Sequence, residues 1–508
     1  MPTERFPKDA VRRSLDELPD TMAMVTTEEP SLQELFVVPG HERALDLDST
    51  VVVGDRGTGK SFWSAALNGS LTRSLIAAQL PRLKFDGVET SWGFSVSTKN
   101  QDHPSRRVLQ RLHETFETEN IWRAVVLHRL TAQHTKPLPG DTWEERVGYV
   151  AADSEREESI LDDISTYLQG KGKRHLIIFD ALDRTGSSWQ VIRSLVRGLL
   201  QVCLDFQGVP GIQVKLFMRP DMLEDRKIWQ FPDSSKLMHG CVNLEWRRAD
   251  LYGLFFHWLS NHRDSGSPFR DWFKQKYRFS FEPMQVQENH VAYPVPGELK
   301  QDEKLQQEVL RDMATPYMGT NPRRGRTYTW LPNHLADAKG QVSPRSFLIA
   351  IREAQRNTRF REHPEVLHWD GIKKGVQGAS RIRVEELGED YPWIRKVLDS
   401  MKGLTVPCKD EDIKAKWVQD DVVGSINKQT VTSEEDQRQS DSDEEDDRWF
   451  LPPHAMDALG SDSPEQNLIS ELQRIGVIRR TSDKRVDIPD LFRVAAAIGR
   501  RGGVRPIR

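Results

Sequence analysis

The run Ser49-Thr50-Val51-Val52-Val53-Gly54-Asp55-Arg56-Gly57-Thr58-Gly59-Lys60-Ser61 constrains this chain more than any other segment. Three consecutive valines suit a strand buried on both faces of a parallel sheet. The eight residues after them fit G-x-x-x-x-G-K-[ST] in full. Glycines at 54, 57 and 59 let the backbone curl with its amide hydrogens facing inward, and the helix opening at Lys60 adds its positive end. Such a concavity takes phosphate. Gly54, Asp55, Arg56, Gly57, Thr58 and Gly59 line it, Lys60 reaches the β- and γ-phosphates, and Ser61 offers its hydroxyl to Mg2+.

A second segment completes the site. His175-Leu176-Ile177-Ile178-Phe179 is an apolar strand, and Asp180 stands at its C-terminal tip, where ligands gather in open α/β sheets. Asp180 is the expected metal-side acid, the alternative being a loop carboxylate remote from any metal. Asp183 is a candidate for orienting the attacking water, or else a partner of Arg184. Ala181 occupies the position where a catalytic glutamate usually follows the metal acid. That predicts slow turnover and leaves Glu89 as another candidate base. The expected ligand is ATP with Mg2+; no N-K-x-D guanine motif follows, although Asn427-Lys428 begins one.

Strand 212–218 and the helical patterns at 119–131, 155–168 and 189–206 alternate with these strands, predicting a three-layer α/β P-loop core with a parallel sheet. Around it the chain divides into a polar N-terminal arm (1–46), the core (47–232), a helical lid with inserted loops (233–365), a helical connector (366–432), an acidic linker (433–448) and a basic module (449–508). The linker carries nine acids and two arginines. In the module a helix at 466–474, strands at 477–480 and 484–488 and a helix at 490–498 suggest a winged helix with a free basic tail at 499–505. Residues 471–508 hold ten basic and four acidic side chains, making this segment a candidate DNA surface; a protein contact is the other reading. The acidic linker could fold back and mask it. At 321–330, arginines interleaved with Tyr328 and Trp330 fit a nucleic-acid contact, an arginine finger or an exposed loop.

Three scattered cysteines, no signal-peptide core and no run of about 20 apolar residues suggest a cytoplasmic protein without a membrane anchor. Net charge is −4, which does not argue for a polyanionic partner for the chain as a whole. No repeat of solenoid or propeller length is present.

GDRGTGKS together with FDALDR resembles the signal-transduction P-loop ATPases (the STAND group) and the KAP ATPases of the ASCE division, whose core is related to the replication-origin initiator ATPases. The resemblance spans roughly 50–356. It implies that Arg219, ending the strand in Lys215-Leu216-Phe217-Met218-Arg219-Pro220, is a γ-phosphate sensor. It implies likewise that Arg345, in Ser343-Pro344-Arg345-Ser346-Phe347, is a second sensor on a lid helix. The membrane spans usual in KAP proteins and the superstructure repeats usual in STAND proteins are absent. The resulting expectation is an ATP-hydrolysing switch that signals or assembles, as in bacterial defence, through a homo-oligomer and an effector protein not legible here. The alternatives are a DNA-acting initiator- or loader-like ATPase and a nucleotide-gated adaptor with little turnover.

Overall fold

The computed structural model describes residues 5–18, 27–96, 102–428 and 463–507. The acidic stretch 433–448, and with it the masking idea, lies outside the described residues. The chain forms two units: Ala23–Glu245 with Pro283–Tyr293, and Met1–Met22 with Trp246–Glu282 and Pro294–Arg508.

The first unit is α/β. Its sheet comprises β1 (Val51–Val53), β2 (Val88–Phe94), β3 (Arg174–Phe179), β4 (Ile212–Met218) and β5 (Val242–Asn243) in the order β2-β3-β4-β1-β5, every pair parallel. Apolar composition explains the central positions. Val52, Leu176, Ile177, Ile178, Phe179 and Leu216 are fully buried, each contributing about 1.5–3 kcal/mol by leaving water. Helix Lys60–Asn68 packs on the sheet. Helices Thr118–His134 and Trp189–Phe206 are joined by Trp122, whose Nε1 donates to the Leu195 carbonyl at 2.7 Å. The same indole meets Phe94 and Phe179 edge-on, at 6.2 and 5.6 Å between centroids. An antiparallel hairpin, β6 (Met284–Gln287) and β7 (His290–Ala292), adds to this unit from far along the chain, with Gln287 Nε2 donating to Ser74 Oγ.

The second unit is mainly helical. Helix Arg248–Asn261 is buried over most of its length, and helix Pro344–Arg356, opened by the Ser343 side-chain cap, packs on helix Trp369–Asp390. The N-terminal segment is not one arm. Helix Lys8–Asp16 docks here, its Ser14 carbonyl accepting from Trp258 Nε1 at 3.0 Å, whereas residues from 27 onward belong to the α/β unit.

Residues 463–507 also differ from expectation. They do not close on themselves, because their edge groups are satisfied by the 393–428 region. Helix Trp393–Ser400, β8 (Thr405–Val406) and helix Asp410–Gln419 precede the linker; helix Pro464–Arg474, β9 (Arg479–Arg480) and β10 (Val486–Asp487) follow it. Cys408 and Val486 exchange backbone hydrogen bonds of 3.0 and 2.8 Å. The helix expected at 490–498 stops at Arg493. Ala497 turns left-handed (φ 54°), and β11 (Gly499–Arg500) then pairs in parallel with β8. The tail is therefore not free: Val504 is buried, and its carbonyl accepts from Arg493 Nη2 at 2.8 Å.

Candidate functional site

At the C-terminal edge of the sheet the two sequence-distant motifs meet. Gly59 enters the helix at φ 104°, a backbone state that side chains other than glycine resist. At Gly54 a Cβ would come within 2.5 Å of Thr58 Oγ1, so the loop closes tightly only with glycine there. Thr58 is buried and its hydroxyl donates to the Asp55 carbonyl at 2.7 Å, bracing the curl. Lys60 Nζ donates to the carbonyls of Gly54 (2.7 Å) and Asp55 (3.1 Å).

Asp180, 3% exposed, follows β3 directly and its backbone amide donates to Phe94 O at 3.0 Å. Its carboxylate accepts from the Ser61 hydroxyl, and Ser64 Oγ lies 3.4 Å from Oδ2. Burial raises the Asp180 carboxyl, while the Ser61 hydrogen bond and the Lys60 ammonium work against the rise. Burial lowers the Lys60 ammonium, Arg219 adding to this; Asp180, Asp183 and Asp55 oppose it. These groups form one electrostatic site although β4 lies between β3, which ends at Asp180, and β1, which leads to Lys60. Its donor set fits a metal-chelated triphosphate: a glycine-lined concavity, an ammonium, a hydroxyl and a buried carboxylate. A divalent cation on Asp180 and Ser61 would supply the charge compensation that burial demands.

The next layer is Asp183 and Arg219. Asp183 sits in the short 3-10 turn Leu182–Arg184, and Arg219 caps the end of β4. Arg219 Nη1 lies 3.3 Å from Asp183 Oδ2, and its Nη2 lies 3.0 Å from Asp221. Asp183 thus faces Arg219 rather than Arg184. Ala181 is held left-handed at φ 56°, a strained state for a residue with a side chain. It swings the chain so that Asp180 and Asp183 both serve the edge.

Other expected residues fall elsewhere. Glu89 is not a base for this site. It is the second residue of β2 and pairs with His175 in register, five residues before Asp180, hence about 16 Å away along the strand direction. Arg345 belongs to the helical unit, where its guanidinium donates to Glu386 at 2.5 Å. In 321–330 the aromatic partner Tyr328 is a core residue, 2% exposed and stacked on Tyr252 at 4.3 Å; its hydroxyl donates to Gln306. In the C-terminal segment the positive count is offset by local acids: Arg474 pairs with Glu471, Arg479 with Asp487, Arg480 with Asp410, Arg485 with Asp483. Two contacts were not foreseen. Ser64 lies one turn beyond Ser61 on the same helical face, a spacing that could have signalled it. His41 meets Trp63 edge-on at 5.7 Å, and its Nε2 lies 3.0 Å from the Glu245 carbonyl; no local pattern announces that contact.

No family model and no curated protein matches the chain. Among solved structures it is similar to the Orc2 protein of Aeropyrum pernix, solved as ADPNP and ADP complexes (12% identity, TM-score 0.38, 95% of this chain and 94% of that one). It is also similar to Cdc6p from Pyrobaculum aerophilum (10% identity, TM-score 0.28, 96% and 92% covered).

Proposed function

We propose that this protein is an ATPase that binds Mg·ATP in the Gly54–Ser61 loop and hydrolyses it slowly. The observation that carries the reading is the convergence of Lys60, Ser61 and Asp180, with the Asp183–Arg219 pair beside them, at one edge of the parallel sheet. Inward amides and Lys60 bind and orient the phosphates, and Ser61 and Asp180 hold the cation, which supplies charge neutralisation when bound. Asp183 orients water, and Arg219, released from Asp183 or held by it, senses the terminal phosphate. Ala181, in place of a glutamate, leaves proton removal from water to a weaker arrangement and keeps turnover slow. The test is ATP binding and phosphate release by the purified chain. Lys60→Ala is expected to weaken ATP binding about 10- to 100-fold, the value of one charge-assisted contact. Asp183→Asn should leave binding within about threefold while lowering turnover about 100-fold or more. Equal binding by wild type and Lys60→Ala would remove the reading.

A second, finer reading is that ATP drives action on DNA. One observation favours it: helix 393–400, β8, helix 410–419, helix 464–474 and the β9–β10 hairpin, with Cys408 bridging Val486, follow the order of a winged helix. Exposed Lys484 stands at the hairpin turn. On this reading DNA stimulates hydrolysis, and the stimulation fades as salt rises. A chain indifferent to DNA but oligomerising with ATP would instead act as an assembly or signalling switch. Cellular activity that survives Asp183→Asn but not Lys60→Ala would mark a nucleotide-gated adaptor.

A further inference from the structure

At the opposite, N-terminal edge of the same sheet lies a second group of chemically active side chains that the ATPase reading does not use. His175 on β3 is completely buried, directly before the apolar run Leu176-Ile177-Ile178-Phe179. His134 is the last residue of helix Thr118–His134, its side chain 2% exposed. Glu89 comes from β2. One donor atom from each lies within 4.8 Å of the others. His134 Nε2 is 2.8 Å from His175 Nδ1 and 3.6 Å from Glu89 Oε2. The far nitrogen of His175, Nε2, is 2.9 Å from Ser91 Oγ, and the far oxygen of Glu89 accepts from Lys173 Nζ at 2.5 Å.

We propose that Glu89, His134 and His175 form a binding site for a divalent transition metal of the zinc class, tying β2, β3 and helix Thr118–His134 together. Two imidazoles and one carboxylate select such a metal over Mg2+ or Ca2+, which prefer oxygen alone. Metal–donor bonds of about 2.0–2.2 Å in tetrahedral geometry put donors about 3.3 Å apart. The His134–Glu89 spacing is already close to that value, and the two imidazoles need to part by about half an ångström. With the His175 proton on Nε2, facing Ser91 Oγ, its Nδ1 is a lone pair facing the group. His134 presents Nε2 as a lone pair once its proton sits on Nδ1, so binding releases no proton. Such an outer partner is what orients a ligating histidine. Glu89, about a third exposed, provides the way in and leaves a position for water. Lys173 competes with the metal for Glu89.

Titration of the chelator-treated full chain with Zn2+, and with Co2+ as an absorption probe, tests this. The expected result is one ion bound at micromolar affinity or tighter, with a tetrahedral Co2+ spectrum and a chelator-reversible rise in thermal midpoint. Glu89→Gln and His134→Gln should each weaken binding at least tenfold, and Asp180→Asn should leave it unchanged. Because Glu89 is at the surface, Glu89→Gln tests the site even should the histidine variant fold poorly. Lys173→Met should tighten binding, which an indirect structural effect would not do. Binding lost in Asp180→Asn but kept in Glu89→Gln, or no saturable binding at all, overturns the proposal and leaves the imidazoles as a hydrogen-bonded pair.

Discussion

The two edges of the five-stranded sheet differ in how their chemistry is assembled. The C-terminal edge uses a contiguous loop, Gly54–Ser61, with acids placed immediately after strand tips, so backbone geometry itself points the groups. The N-terminal edge uses single residues from β2, β3 and a helix end, each placed by side-chain packing alone. The first kind of site is written in local sequence; the second exists only when three elements dock. Trp122 is the bridge between them, since it packs on Phe94 and Phe179 at the ends of β2 and β3 and its helix carries His134.

That contrast can be broken most strongly at the bridge. Trp122→Ala removes a fully buried indole and should cost about 3–5 kcal/mol of unfolding free energy, read by denaturant titration. It should disturb ATP binding more than zinc binding, because the indole packs on Phe179, the residue before Asp180, and on Phe94, whose carbonyl holds the Asp180 amide, whereas His134 lies twelve residues further along the helix. A smaller effect separates the edges: Lys60→Ala, costing about 1.5–3 kcal/mol of ATP binding, should leave the zinc isotherm unchanged. Smaller still, Ala181→Gly relieves a left-handed residue and should stabilise the chain by about 0.5–1 kcal/mol in thermal unfolding. An effect read through pH concerns His128, between the edges on helix Thr118–His134. Burial first, then Arg146 and Arg129, lower it from the ordinary 6.5 to about 4. Between pH 6.5 and 4 the unfolded chain therefore takes up a proton that the folded chain refuses. Stability is complete above pH 6.5 and falls as pH drops through this window. His128→Gln should flatten part of that fall in midpoint-versus-pH measurements.

Much of the α/β unit was legible. Helix Trp189–Phe206 and strand Ile212–Met218 have the ends that periodicity predicts, since long apolar patterns dominate local alternatives. The apolar runs that end at Gly54, Asp180 and Arg219 likewise read as strands, and the structure has β1, β3 and β4 there. Glu89 was misread because an acid's position along a strand, and so its edge of the sheet, depends on register, which composition does not encode. The C-terminal tail was misread as free because its partner strand β8 lies about ninety residues earlier. The interleaved arginines at 321–330 suggested stacking on a ligand, yet Tyr328 had a partner, Tyr252, inside its own unit.

By itself the sequence determined the curled Gly54–Ser61 loop, because a glycine-spaced loop between an apolar strand and a helix has its geometry set by backbone sterics within eight residues. Only the tertiary structure decided that Arg219 faces Asp183, that Arg345 is held by Glu386, and that Glu89 stands with two histidines. Those pairings depend on strand order and packing, which are fixed by burying apolar surface over the whole unit and leave no mark on neighbouring residues.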